Sequence, residues 1–138
     1  MDKKLLALIA LFFISFAFFA VLTIFDKPLS TLIRAREDFT PSPRRSKILA
    51  WPLSSINANG VAESEINVFV VSESDKPVPN RQVTLTSSLG NIKEPSVTTD
   101  NNGKATLHIT STSPGVAQIQ ASVEPGIILT QKITIQFE

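Results

Sequence analysis

Cysteine is absent from this 138-residue chain. That rules out a disulfide framework, a thiolate metal site and a thiol nucleophile, and leaves no residue to acylate behind the N-terminal apolar run. A domain without crosslinks is held by its core alone, which suits a prokaryotic protein better than an animal ectodomain. No Asn-x-Ser/Thr triplet occurs, so N-glycosylation by that rule is excluded. From Ile48 onward five Lys/Arg stand against eight Asp/Glu, with no basic cluster, which excludes a nucleic-acid partner. His108 is the only histidine. It falls between Leu107 and Ile109 on a predicted strand and therefore points outward. A hydrolytic triad needs a base and an orienting acid, and no nucleophile elbow accompanies this lone base. We expect no enzyme, no catalytic residues, no cofactor, no metal and no small-molecule substrate. Asp100, Asn101 and Asn102 offer oxygens for Ca²⁺ but lack the further carboxylates of a recognised loop, so they read as a plain turn.

What is present begins with Leu5 to Phe25, an apolar run with no charge, glycine or proline. As a helix it spans roughly 30 Å, the hydrocarbon thickness of a bilayer. Lys3 and Lys4 precede it in the layout of a signal sequence. The run exceeds a cleavable h-region, and its bulky exit, Val21 to Asp26, lacks a small-residue cleavage site. Residues 1–25 are therefore expected to be an uncleaved signal anchor, with Leu5, Leu8, Phe12, Phe16, Phe19 and Phe25 facing lipid.

Residues 26–47 read as a basic, proline-containing juxtamembrane linker. Asp26-Lys27-Pro28 is expected to end the membrane helix. Pro28 also suits a helix start, and Leu29, Leu32, Ile33 and Arg36 fall at helical spacing. A short amphipathic helix on the headgroups, with Arg34 and Arg36 near phosphates, competes with an irregular stalk. Thr40-Pro41-Ser42-Pro43 reads as a stiff spacer, and the basic cluster Arg44 to Lys47 as a solvated hinge ahead of an anionic-lipid contact or a protease-sensitive joint.

Residues 48–138 alternate with period two. Ile48 to Leu53 is an edge-type strand, confined there by Pro52. Strands follow over Glu65–Ser72, Gln82–Ser87, Pro95–Thr99, Lys104–Thr110, Val116–Val123 and Ile127–Phe137, with turns at Asn59-Gly60, Ser74–Asn80, Gly90-Asn91, Asp100–Gly103, Ser113–Gly115 and Pro125-Gly126. About seven strands without a helical pattern predict an all-β, two-sheet antiparallel sandwich behind one transmembrane helix. Trp51 is expected to cap the core near the membrane-facing end, or to anchor at the headgroups. The last strand is either an interior strand or an edge able to pair with another chain.

Asn59-Gly60, Ile66-Asn67-Val68-Phe69-Val70, Asp75 to Val83, Thr98 to Ala105, Ser111 to Gly115 and Ala117 to Ala121, in that order, resemble the bacterial Ig-like domains of the invasin and intimin family (the Big-1 type), over Ile56 to Phe137. The motif turn Thr99, Asp100, Gly103 and Ala105 is the most telling part: a polar turn closes a hairpin and Ala105 starts the next inward face. The resemblance implies an Ig-like spacer or adhesive module without catalysis. This chain departs from the family pattern in having one copy instead of a tandem array and an N-terminal helix instead of an outer-membrane barrel, and both departures weaken host-cell adhesion as its role. It also implies an extracytoplasmic domain. Charge alone leaves orientation near a tie, with Lys3 and Lys4 against Lys27, Arg34 and Arg36. The expected function is a membrane-anchored surface module touching a protein or the cell envelope, with the lipid bilayer as a second partner. The alternative is a pilin-like filament subunit with the helix as polymer core and the β-domain as outer coat. No Gly-ended basic leader supports it.

Overall fold

The computed structural model describes residues 2–37 and 39–138, with side-chain surroundings for 2–23 and 39–138. Among the described residues the chain has one helix and eight strands. It divides into two compact units, Met1–Arg36 and Glu37–Glu138.

The helix α1 covers Lys3–Glu37. It does not stop at Asp26-Lys27-Pro28 as expected. One proline removes a single intrahelical bond at a cost of about 3 kcal/mol. The residues that follow, Leu29 to Glu37, include Leu, Ala, Arg and Glu, all good helix formers. Within α1, Lys3–Thr23 is long and apolar enough to cross a membrane, with mean hydropathy 2.9 and none of it buried. The apolar face expected of Leu29, Leu32, Ile33 and Arg36, the headgroup role of Arg34 and the lipid contact of Phe25 lie outside the described side chains.

The second unit is a sandwich of two four-stranded antiparallel sheets. The strands are β1 Lys47–Trp51, β2 Glu63–Phe69, β3 Gln82–Ser87, β4 Asn91–Ile92, β5 Val97–Thr98, β6 Lys104–Thr110, β7 Gly115–Val123 and β8 Ile127–Phe137. The first sheet runs β1-β2-β6-β4 and the second β5-β3-β7-β8. The eighth strand beyond the expected seven is β4, only two residues long and directly after the turn glycine Gly90.

Alternation decides which side chains fill the space between the sheets. Ile48, Ile66, Val68, Leu107 and Ile109 come from the first sheet; Val83, Leu85, Ala117, Ile119, Ala121, Val123, Leu129, Ile135 and Phe137 come from the second. Burying side chains of this size is worth roughly 1.5–3 kcal/mol each, which substitutes for crosslinks.

The chain changes sheets at Pro52. Before it, β1 pairs with β2 from Lys47↔Phe69 to Trp51↔Glu65. After it, Ile56 forms a parallel bridge with Phe137 of β8, Gln136 N–H donates to the Leu53 carbonyl at 2.8 Å, and Glu138 N–H to that of Ile56 at 2.8 Å. A proline suits this crossing because a residue between two ladders owes neither one an N–H. β8 therefore ends its sheet, but its outer edge is partly taken. Thr130 N–H also donates outward, to the Pro43 carbonyl at 2.9 Å.

Candidate functional site

The apolar helix comes first in the chain. Leu5, Leu8, Phe12, Phe16 and Phe19 are all more than half exposed. Phe12 stacks on Phe16 with ring centroids 6.3 Å apart and meets Phe13 edge-on at 5.9 Å. Thr23 Oγ1 donates to the carbonyls of Phe19 and Ala20, at 3.1 and 3.0 Å, so this hydroxyl is satisfied inside the helix. In lipid, where no water is available to do so, that satisfaction is required.

The motif turn is a structural hub. Thr99 is 2% exposed and works in both directions: its Oγ1 donates to the Val78 carbonyl at 2.8 Å and accepts from Arg81 N–H at 2.9 Å. Its backbone exchanges bonds with the same segment, Asn80 N–H to Thr99 O and Thr99 N–H to Arg81 O. Asp100 Oδ1 accepts from the N–H groups of Asn102 and Lys104 at 2.8 and 2.9 Å, which closes the turn locally. Gly103 sits at φ +71°, and its carbonyl accepts from Val70 N–H at 2.7 Å. A Cβ there would collide with the Val70 carbonyl oxygen and crowd Val78 and Pro77. Ala105 is buried in the core. Thr99 and Gly103 thus tie the β5–β6 turn to the Val70–Arg81 segment. The turn does not close a hairpin as expected, because β5 and β6 belong to different sheets and the chain crosses between them here.

The segment expected as spacer and hinge is packed onto the domain. Pro41, Ser42 and Ser46 are buried. Ser42 N–H donates to the Val71 carbonyl at 2.7 Å, and its hydroxyl to Glu73 Oε1 at 2.5 Å. Ser46 Oγ accepts from Val71 N–H at 3.2 Å. Arg45 pairs with Asp75 and, at 3.7 Å, with Glu73. The Asp75 hydrogen bond, more than any other contact, raises the Arg45 pKa. The basic run looked solvated because its acidic partners lie about thirty positions away in sequence and are met only through the fold.

Trp51 does not cap the core; it is 79% exposed. Lys47, Leu49 and Trp51 point outward because Ile48, at the alternate position, fills the interior. Trp51 stands opposite Glu65, which stands opposite His108. His108 is half-buried; its Nδ1 lies 2.9 Å from Glu94 Oε1, and its backbone N–H donates to Glu94 Oε2 at 2.7 Å. Partial burial pushes the Glu94 pKa up, but the two bonds from His108 and the charge attraction to it together lower it, and the net direction is down. Glu63 is likewise lowered, by its hydrogen bond from Lys93. Among the described residues no three His, Asp or Glu side chains gather closely enough to hold a metal. The hollow lined by Thr86, Ser87, Ser88, Gln118, Gln120 and Lys132 is open and carries one ionisable group.

Sequence reasoning missed Gln131. It occupies an inward position between Leu129 and Ile133, where an apolar residue belongs. Its amide accepts from Ile48 N–H at 3.1 Å and donates to Ile48 C=O at 3.0 Å. The side chain thus stands in for a neighbouring strand beside β1. The signal was a polar residue breaking an apolar alternation.

Residues 52–138 match the family of the bacterial Ig-like domain (group 1). Intimin of Escherichia coli is 36% identical over 80 residues, which is 58% of this chain and 8% of intimin. Invasin, a bacterial integrin-binding protein, superposes with a TM-score of 0.65 at 28% identity, over 71% of this chain and 20% of that one. The Yersinia pseudotuberculosis adhesin InvE gives 0.64 at 27%, over 74% and 28%. A C-terminal fragment of intimin in complex with the intimin-binding domain of the translocated intimin receptor gives 0.58 at 30%, over 71% and 33%. The chain spans a third or less of each of these relatives. With the sandwich, the Thr99–Ala105 turn and these matches in agreement, the chain belongs to the bacterial Ig-like domain (group 1) family, of the invasin and intimin type.

Proposed function

We propose that this chain is a non-catalytic, membrane-anchored adhesion module. α1 holds it in the bilayer through Leu5, Leu8, Phe12, Phe16 and Phe19, and the sandwich contacts a protein or envelope partner outside the cytoplasm. The observation that carries the reading is the union in one chain of an adhesin-type Ig-like domain with a 21-residue apolar helical segment, Lys3–Thr23. The motif turn Thr99, Asp100, Gly103 and Ala105 serves the fold, so contact with a partner falls to the sheet faces and exposed loops. An epitope tag after Glu138 tests the reading on intact cells. The chain should stay in the membrane pellet through a carbonate wash, and the tag should be reached by antibody without permeabilisation. Release by carbonate, or a tag reached only after permeabilisation, defeats it. Regular fibres built from this chain, seen by negative-stain microscopy, would put the filament subunit in its place.

A further inference from the structure

We infer that the outer face of the first sheet around Trp51 and Glu65 is a docking surface for an arginine- or lysine-bearing protein segment. The inference deepens the contact-module reading and rests on it. Trp51 is 79% exposed and Leu49, two residues back on the same face, 57%. Neither serves the interior, which Ile48 and Ile66 already fill from the same two strands. An exposed tryptophan beside an exposed leucine is surface that a partner's contact removes from water, and tryptophan is among the residues that dominate such contacts.

The adjoining charge selects the partner. Glu65 is directly across from Trp51 on the neighbouring strand. Its Oε1 accepts from the Asn67 amide at 2.7 Å, and among the described residues it has no ion-pair partner. The nearby cation Lys93 is taken by Glu63, and His108 is turned to Glu94. Lys47 and Lys104 share a row with Phe69, four residues along the strands from the Trp51 row. At about 3.3 Å per residue that is roughly 13 Å away. The surface thus offers an indole face next to a carboxylate with no cation of its own. A guanidinium or ammonium is attracted to both, by the ring quadrupole and by a charge-assisted bond. The same carboxylate repels an anionic lipid headgroup. Strand addition is a poor use of this edge, because Gln131 already occupies the Ile48 N–H and C=O.

Trp51 is the only tryptophan, so its emission reports on this face. The full chain in phosphatidylcholine nanodiscs is titrated with tri-arginine amide, and a dye-labelled copy of the peptide gives anisotropy in parallel. We expect a saturable emission change that weakens with salt. Glu65→Gln and Trp51→Leu should each weaken peptide binding about fivefold. Glu124→Gln, an exposed carboxylate on the β7–β8 turn, should leave binding unchanged. The inference is overturned by unmoved emission, by equal loss in Glu65→Gln and Glu124→Gln, or by an equal response to triglutamine amide. It is also overturned if Trp51 is quenched by brominated lipid, or if the chain dimerises in a way that Trp51→Leu abolishes; lipid or a second copy is then the occupant. Circular dichroism confirms that each variant is folded. The titration uses purified chain, so its failure leaves the surface-display experiment standing, and the reverse also holds.

Discussion

Replacing Gly103 with alanine separates two costs that a turn glycine can carry. The first is backbone strain: Gly103 sits at φ +71°, and an L-residue there loses about 1–2 kcal/mol. The second is contact. The new Cβ would land on the Val70 carbonyl oxygen, with Val78 N at 3.1 Å and Pro77 Cα at 3.3 Å, and these are backbone atoms that cannot swing aside. Relief requires the turn to back away from the Val70 segment. That weakens Val70 N–H to Gly103 O and Val78 N–H to Val70 O, each worth about 1 kcal/mol net. The sum is about 3–4 kcal/mol, against a total stability of about 5–15 kcal/mol for a domain. In a domain of this size it lowers the melting temperature by about 12 °C or more. Gly126 provides the control. It also has positive φ, +114°, but nothing lies within 4 Å of its would-be Cβ. Gly126→Ala should carry strain alone. Guanidinium unfolding of the full chain in detergent micelles, followed by circular dichroism at the β minimum, measures both. If Gly103→Ala costs no more than Gly126→Ala, the turn is not locked against Val70 and the structural role given to the motif is wrong.

Thr99→Val keeps the shape of the side chain but strips the donor to Val78 O and the acceptor for Arg81 N–H. It should cost about 1–3 kcal/mol in the same unfolding assay, because Arg81 N–H loses its partner. Gln131→Leu bares the Ile48 N–H and C=O on the β1 edge; concentration-dependent association in analytical ultracentrifugation should rise, and an unchanged monomer would show the amide is not an edge seal. Glu94 has a folded-state pKa below the ordinary glutamate value of 4.5, so its stabilising contribution is complete above that value and is lost as pH falls through the folded pKa. The melting-temperature gap between wild type and Glu94→Gln should therefore shrink as pH drops from the neutral range to below the ordinary value, and a gap constant with pH refutes the linkage.

The features legible in the sequence are those that alternation alone determines. The bounds of Gln82–Ser87, Lys104–Thr110 and Ile127–Phe137 were readable because apolar side chains alternate with polar ones between clear turns, broken in the last strand only by the inward Gln131. The Thr99–Ala105 turn was readable because its residue types are demanded locally: an aspartate to cap, a glycine for positive φ, an alanine to enter the core. What stayed hidden depends on partners distant in sequence. Nothing near Arg44-Arg45 announces Glu73 or Asp75. Nothing near Pro41-Ser42 announces the Val71 carbonyl. Trp51 reads as core by hydrophobicity, and only the register that turns Ile48 inward puts it outside. β4 was invisible because two residues cannot display a period.

The sealing of the two sheet edges explains why the folding unit begins earlier than the family match. That match opens at Pro52, after β1 has already ended at Trp51. Yet β1 supplies Ile48 to the core and covers the outer edge of β2 from Glu65 to Phe69. Upstream of β1, Pro43 covers Thr130 on β8, and Ser42 and Ser46 cover Val71. A sheet edge with open N–H and C=O groups invites another chain. A crosslink-free domain has only its own chain with which to cover such an edge. Here the chain leaving α1 is spent on closing those edges before the family pattern starts. The β1 edge is left for side-chain contact at Trp51 and Leu49, where the ladder groups of Ile48 are already satisfied. The proposed side-chain docking face and resistance to strand pairing thus draw on the same stretch, residues 42 to 51, with Gln131 as the seal between the sheets.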